Sequence, residues 1–188
     1  PPTYYVGDRD VQQLTLSPDE HFVTFVLRDG AEPTTTSMTD YVTQSGYAEE
    51  LTARPKVGAP GDRHELVVQD LARDTSYTVD LTTLPGAFDP TDVAAERGET
   101  ADSSRVLVPF GPRWSPDGRY AVLDVRTRDN KGRWIARLDA EAGTVTSLDR
   151  QRDEAWIAGP GIAWWVGESD GGWLPDNRTY WFQSEASG

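Results

Sequence analysis

Two pairs of neighbouring acids are the most conspicuous groups in this chain that could do chemistry. Glu49-Glu50 and Asp153-Glu154 each bring two carboxylates together. Residues 48–51 could form one helical turn, in which case the first pair would point in different directions. For the second pair, the alternative to a ligand site is an ion pair with Arg150 or Arg152, since acids beside arginines are common on any protein surface.

The chain offers little for nucleophilic or metal chemistry. It contains no Cys, which excludes a thiolate nucleophile, a cysteine zinc cluster and a disulfide framework. Its two imidazoles are His21, which follows a Pro-Asp turn, and His64, which begins a predicted strand. Neither has an evident serine and carboxylate partner. We therefore expect no catalytic residue, no metal site and no cofactor in this chain.

Tryptophans form a third group of candidates. Trp164-Trp165 lies between glycine-rich stretches, with Trp156 and Trp173 nearby. Such a cluster could be an exposed platform for a sugar or a proline ring. Packing between structural repeats is the favoured interpretation, because Trp is large and usually buried over most of its area.

Composition and charge limit the class of protein. The net charge of −13 excludes a nucleic-acid partner, because binding a polyanion requires a basic surface. No stretch is long and apolar enough to cross a membrane. Seven Trp together with 17 Gly and 13 Pro indicate short strands separated by turns. The composition favours an all-β fold.

An internal repeat organises these strands. Residues 14–25 and 112–123 match, and 172–182 is a degenerate third copy. In each copy an apolar residue leads into a Pro-Asp turn and then into an alternating, β-prone run, which is typical of a hairpin. The turn aspartates, Asp19 and Asp117 among them, are predicted to bond their own downstream backbone.

A second hairpin follows each of the first two copies, at 66–81 and 133–148, with an offset of 67 residues. The Pro-Asp turns are 98 residues apart, so 31 extra residues lie in the first repeat, roughly at 30–62, where the composition indicates loop. Four antiparallel strands per repeat define the blade of a β-propeller. The sequence therefore predicts a partial β-propeller of about two and a half blades.

The blade boundaries follow from these offsets: blade one at 11–81 with the insertion 30–62, blade two at 105–148, and an incomplete blade three at 172–188. Alternating strand directions place the insertion and the connections 82–104 and 149–171 at one end of the blades. Loops that gather on one face commonly carry binding sites.

The residues that follow resemble a known family over essentially the whole chain. Trp114-Ser115-Pro116-Asp117-Gly118 is similar to the repeat signature of TolB-type proteins and of prolyl-oligopeptidase-clan propellers. The more specific matches are to bacterial members of the dipeptidyl-peptidase IV N-terminal domain family; they lie at 41–50, 54–58, 129–135 and 149–157. This family places a serine-peptidase α/β-hydrolase domain C-terminal to the propeller.

The resemblance implies that this chain is a non-catalytic propeller fragment of a periplasmic or secreted dipeptidyl-peptidase-like serine exopeptidase. It would gate or position peptide substrates for the hydrolase domain. We expect no Gly-x-Ser-x-Gly nucleophile elbow here. In the family, a pair of glutamates on a propeller connection captures the free amino terminus of the substrate, and Asp153-Glu154 occupies the corresponding type of connection, with Asp in place of the first Glu.

Two other functions remain open. One is a TolB-type propeller that acts only as a protein-interaction scaffold, and the other is a carbohydrate-binding module that uses the tryptophans. A partial propeller would also expose strand edges, which invite pairing with another chain. The uncharged run 179–183 is the expected edge, and we expect self-association there.

Overall fold

The computed structural model describes residues 3–32, 35–55, 59, 61–100, 105–159, 161–162 and 169–185. Its strands, in chain order, are β1 (Asp10–Leu16), β2 (Phe22–Asp29), β3 (Thr35–Asp40), β4 (Glu49–Pro55), β5 (Arg63–Asp70), β6 (Thr75–Thr78), β7 (Leu107–Trp114), β8 (Ala121–Thr127), β9 (Gly132–Asp139), β10 (Thr144–Arg152), β11 (Gly171–Trp173) and β12 (Tyr180–Phe182). A 3-10 turn at Leu81–Thr83 and one short helix, α1 (Asp92–Glu96), lie between β6 and β7. No helix in the described ranges is long and apolar enough to cross a membrane.

The strands form two four-stranded antiparallel sheets and two separate hairpins. The first sheet has the order β1-β2-β5-β6 and the second the order β7-β8-β9-β10. The hairpin β3-β4 is inserted between β2 and β5, and β11 pairs with β12. Successive antiparallel four-stranded sheets are the blades of a partial β-propeller, which confirms the predicted fold class.

The repeated turns owe their shape to local hydrogen bonds. In blade one the Ser17 hydroxyl donates to Asp19 Oδ1 at 2.6 Å and accepts the Phe22 N–H at 2.9 Å. In blade two Ser115 makes the same two bonds, to Asp117 at 2.7 Å and from Tyr120 at 2.9 Å. The structural role predicted for the turn aspartates is confirmed.

A hydrophobic seam joins the two blades. Alternation along β2 and β5 turns Val26, Leu66 and Val68 toward blade two, where they pack with Leu123 and Trp134. All five are almost fully buried. Because both blades contribute to this one core, their relative position is set by side-chain packing.

The face of blade one that points away from blade two is covered by the N-terminal segment. Phe25, Leu27 and Val67 point away from blade two and pack against Tyr4 and Val6 of the N-terminal segment. The ring centroids of Tyr4 and Phe25 lie 5.3 Å apart with an edge-on geometry. Residues before the first strand therefore shield an apolar blade face from water.

The structure corrects two local predictions. The insertion expected as loop contains the hairpin β3-β4. Glu49 and Glu50 begin β4 and do not form a helical turn. A strand alternates its side chains between two faces, so these two carboxylates point to opposite sides of the hairpin.

Candidate functional site

The long connections meet at one end of the blades. Strands β2 and β6 run in the same direction because each is antiparallel to β5, so both end at this edge. The Arg128 guanidinium, in the turn between β8 and β9, lies against Gly61 of the insertion. The clustering predicted for the connections is confirmed for their described parts.

Ion pairs tie the connection between β6 and β7 to this end of blade two. Asp92 binds Lys131 and accepts from Arg152 Nη2 at 2.8 Å. Asp89 accepts from Arg150. The hydrogen bonds from Lys131 and Arg152 hold the pKa of Asp92 below its ordinary value. The connection is therefore held by charged groups that lie 39 to 61 residues away from it in sequence.

Asp153 begins a turn at the same end. Its backbone N–H donates to the Lys131 carbonyl at 3.1 Å. Its side-chain Oδ1 accepts the N–H groups of Trp156 at 2.8 Å and Ala155 at 2.7 Å. These bonds lower the pKa of Asp153, so the carboxylate stays ionised while it caps the turn.

Glu154 is exposed beside this turn. The interpretation that Asp153 and Glu154 merely pair with Arg150 or Arg152 is wrong, because those arginines bind Asp89 and Asp92. The negative charge of Glu154 therefore faces solvent next to a carboxylate that is fixed by backbone bonds.

A buried ionic cluster that sequence reasoning missed lies between blade two and the hairpin β11-β12. Asp124 on β8 accepts from Arg126 Nη2 at 2.9 Å, Arg133 Nη2 at 3.1 Å and Ser169 Oγ at 2.6 Å. The side chains of Arg126 and Arg133 are only 6% and 1% exposed. Arg133 also donates to the Gln183 carbonyl at 2.7 Å, so the cluster holds the residues that flank the third hairpin.

The repeat contains a signal for this cluster. Asp124 follows Val26 by the turn offset of 98 residues and occupies the same position in β8 that Val26 has in β2. A charged residue at a position that is apolar in the neighbouring repeat indicates a different kind of seam. The seam between blades one and two is hydrophobic, whereas the seam between blade two and the third hairpin is held by ion pairs.

The expectation that the chain lacks the Gly-x-Ser-x-Gly spacing is wrong, since residues 167–171 have it, with Ser169 at the centre. Gly167 and Glu168 lie outside the described residues. Ser169 leads into strand β11, whereas a nucleophile elbow leads from a strand into a helix. Burial alone would raise the pKa of Asp124, its carboxylate partner, but the bonds from Arg126 and Arg133 hold that pKa low. A carboxylate held in this way is a poor base.

Neither histidine joins Ser169. His21 is exposed and lies 3.4 Å from Asp19 Oδ2 through Nδ1. His64 lies in β5 close to Arg28 and Asp62, and burial lowers the pKa of its imidazole. The described residues thus bring no imidazole to the serine.

The tryptophan platform is only partly within the described residues. Trp164 and Trp165 lie outside them. Trp173 packs against Tyr120, with ring centroids 6.3 Å apart, and its Nε1 donates to the Arg113 carbonyl at 3.1 Å. Trp173 therefore packs the third hairpin onto blade two, as the packing interpretation predicts, while Trp156 is 45% exposed at the loop end.

Fold and site together define the class of this protein as a partial antiparallel β-propeller whose connections gather at one end. No family model matches the chain. No curated protein matches it either.

Solved structures that are similar to it include two bacterial proteins. One is a candidate dipeptidyl aminopeptidase IV from Bacteroides ovatus ATCC 8483, with 16% identity and a TM-score of 0.45 over 79% of this chain and 19% of that chain. The other is Porphyromonas gingivalis dipeptidyl peptidase 4, with 13% identity and a TM-score of 0.49 over 77% of this chain and 18% of that chain. The chain thus spans about a fifth of the length of these proteins. At such identities the likeness concerns the fold alone, and the TM-scores are too low for it to carry an argument about a site or a substrate.

Proposed function

We propose that this chain is the substrate-positioning portion of the propeller of a dipeptidyl-peptidase-like serine exopeptidase. In this proposal the bond-cleaving α/β-hydrolase domain lies elsewhere in the parent protein, which acts in the periplasm or outside the cell. The chain itself binds the free amino terminus of a short peptide and does not cleave it.

The observation that carries the proposal is the arrangement of Asp153 and Glu154. The Asp153 carboxylate caps its own turn through the Ala155 and Trp156 N–H groups and so fixes the backbone that carries Glu154. The exposed Glu154 carboxylate is available to an ammonium group, and a charge-assisted hydrogen bond of this kind sets the register of a bound peptide. Trp156, partly exposed in the same turn, offers an apolar surface beside it.

Calorimetric titration with a tripeptide amide tests the proposal. We expect the peptide with a free amino terminus to bind and its N-acetylated form to bind about 10-fold or more weakly, because a hydrogen bond to a charged group contributes about 1.5–3 kcal/mol. Glu154→Gln should weaken binding of the free peptide by a similar factor and leave the acetylated peptide unchanged.

The matched control is Glu141→Gln, which removes one exposed glutamate at the turn between β9 and β10. It should leave both titrations unchanged. Equal affinity for the free and the acetylated peptide, or equal effects of the two glutamate substitutions, would overturn the proposal.

A further inference from the structure

A cleft of about 470 Å³ opens between blades one and two at the end opposite the long connections. Its lining residues lie within 19–22, 70–73, 114–120 and 137–141, in the four short turns of the two sheets and the strand ends beside them. Each of these turns joins neighbouring strands of one blade, so the walls of the cleft belong to the two four-stranded sheets. The volume lies within the range of about 300–1,000 Å³ that is typical of small-molecule sites.

Three aromatic side chains line this cleft. Phe22 begins β2 and Trp114 ends β7, so these two rings come from different blades. Their centroids lie 6.1 Å apart, and their planes differ by only 7°. Tyr120, which precedes β8, is the third aromatic residue of the lining. All three side chains are only partly buried, so a ligand in the cleft can contact apolar ring surface.

Charged groups of both signs surround these rings. The described lining residues include four acids and three arginines, namely Asp19, Asp70, Asp139, Glu141, Arg73, Arg119 and Arg137. Several of these groups already bind one another. Arg73 donates to Glu141 and lies 3.6 Å from Asp70 Oδ2, and His21 Nδ1 lies 3.4 Å from Asp19 Oδ2. A charged ligand would have to compete with these internal partners, so the cleft favours a neutral ligand.

The charged groups keep hydrogen-bonding capacity after these contacts. A guanidinium has five N–H donors, and a carboxylate has about four acceptor positions. Arg119 is an exposed residue of the cleft, and the Glu141 side chain is 70% exposed. Such groups can bind hydroxyl groups while their ion pairs stay formed. A pyranose sugar combines hydroxyl groups around its ring with apolar C–H faces, and these faces pack against aromatic rings. The lining therefore suits a neutral sugar.

We propose that the cleft between blades one and two binds a neutral sugar chain. The three aromatic rings pack against the C–H faces of the sugar, and the exposed arginine, histidine and glutamate side chains of the cleft exchange hydrogen bonds with its hydroxyl groups. This site is distinct from the tryptophan platform, because Trp114 is not part of that cluster. It is also independent of the peptide site, because Glu154 lies at the opposite end of the blades.

Proton NMR of the unmodified chain tests the proposal with an internal control, because the two histidines lie at opposite ends of blade one. His21 lines the cleft, whereas His64 lies near the start of β5, at the end of the long connections. The chain is titrated separately with cellotriose, chitotriose, maltotriose and mannotriose. At least one of these sugars should shift the imidazole C–H resonances of His21 and leave those of His64 unchanged. Added salt should leave this binding almost unchanged, because the ligand carries no charge.

Substitutions locate the site by calorimetric titration with the sugar that binds best. Ala72 is exposed and lines the cleft, so Ala72→Trp should fill it and weaken binding about 10-fold or more. The matched control, Ala95→Trp, places the same ring on an exposed alanine of α1 at the other end of the blades and should leave the affinity unchanged. Arg119→Ala should weaken binding about 10-fold through lost hydrogen bonds, whereas Arg97→Ala, at an exposed arginine elsewhere, should not. Circular dichroism checks that each variant is folded.

Three results would overturn the proposal. The first is that none of the four sugars shifts the His21 resonances. The second is that a sugar shifts the resonances of His21 and His64 equally, which indicates a general change in the chain. The third is a sugar affinity that the folded Ala72→Trp and Arg119→Ala variants leave unchanged. Glu154→Gln separates this site from the peptide site, because it should weaken binding of the free peptide and leave sugar binding unchanged.

Discussion

Removing the Asp124 carboxylate should destabilise the fold strongly. The substitution Asp124→Val leaves Arg126 and Arg133 with side chains that are 6% and 1% exposed and without their carboxylate. Each arginine nitrogen lies about 3 Å from Asp124 Oδ2. At a charge separation of about 4 Å and an effective dielectric constant of about 20, one such pair is attracted by about 4 kcal/mol.

The desolvation of three buried ions offsets much of that attraction. Removing one partner of a buried ion pair is expected to lower the free energy of unfolding by about 3–5 kcal/mol. For a chain of this length, this lowers Tm by roughly 6–20 °C. Replacing the whole cluster, as Asp124→Val with Arg126→Leu and Arg133→Leu, should cost less than Asp124→Val alone, since no buried charge is left unpaired. One of these three changes, Asp124→Val, copies the equivalent residue of blade one, Val26.

Urea unfolding of the three proteins measures the effect, with Glu141→Ala as the control for a pair at the surface. The Arg73–Glu141 pair has side chains 55% and 70% exposed, so its loss should cost less than about 1 kcal/mol. An Asp124→Val variant that loses no more stability than Glu141→Ala would contradict the role of the buried ion pairs. A triple variant that is less stable than Asp124→Val would contradict it as well.

The same cluster predicts a pH dependence. The pKa of Asp124 in the folded chain lies below its ordinary value of 3.8, since the arginine hydrogen bonds outweigh burial. A folded pKa below the unfolded one gives stability that is present above about pH 4 and is lost as the pH falls further. The triple variant should lose less stability than the unmodified chain over that acid range.

Two further predictions concern activity and the repeated turn. The purified chain should not hydrolyse an X-Pro chromogenic dipeptide, because Ser169 has no imidazole among its described partners; turnover that Ser169→Ala abolishes would contradict this. Glu20→Gly should raise the free energy of unfolding by up to about 1 kcal/mol, because Glu20 has φ of 60° where the matching residue of blade two is Gly118 with φ of 73°. A loss of stability measured by urea unfolding would show that the Glu20 side chain stabilises the fold by more than its positive φ destabilises it.

Features that depend only on neighbouring residues could be predicted from the amino-acid sequence. The repeated turns are one example, since Ser17, Asp19 and Phe22 make their hydrogen bonds within six residues of chain. Strand alternation is another, because it requires only that one face of each strand be apolar. With the repeat offsets, these local rules predicted antiparallel blades and the end at which the connections gather.

Which charged groups meet depends on how distant segments pack against each other. Asp153 follows Arg150 and Arg152 closely in sequence, yet its carboxylate bonds to backbone N–H groups, because Asp89 and Asp92 come from about 60 residues away and bind those arginines. Ser169 reaches Asp124 across 45 residues and a blade seam. Ion pairs depend on distances between separate segments, and these distances exist only once packing has placed the blades side by side.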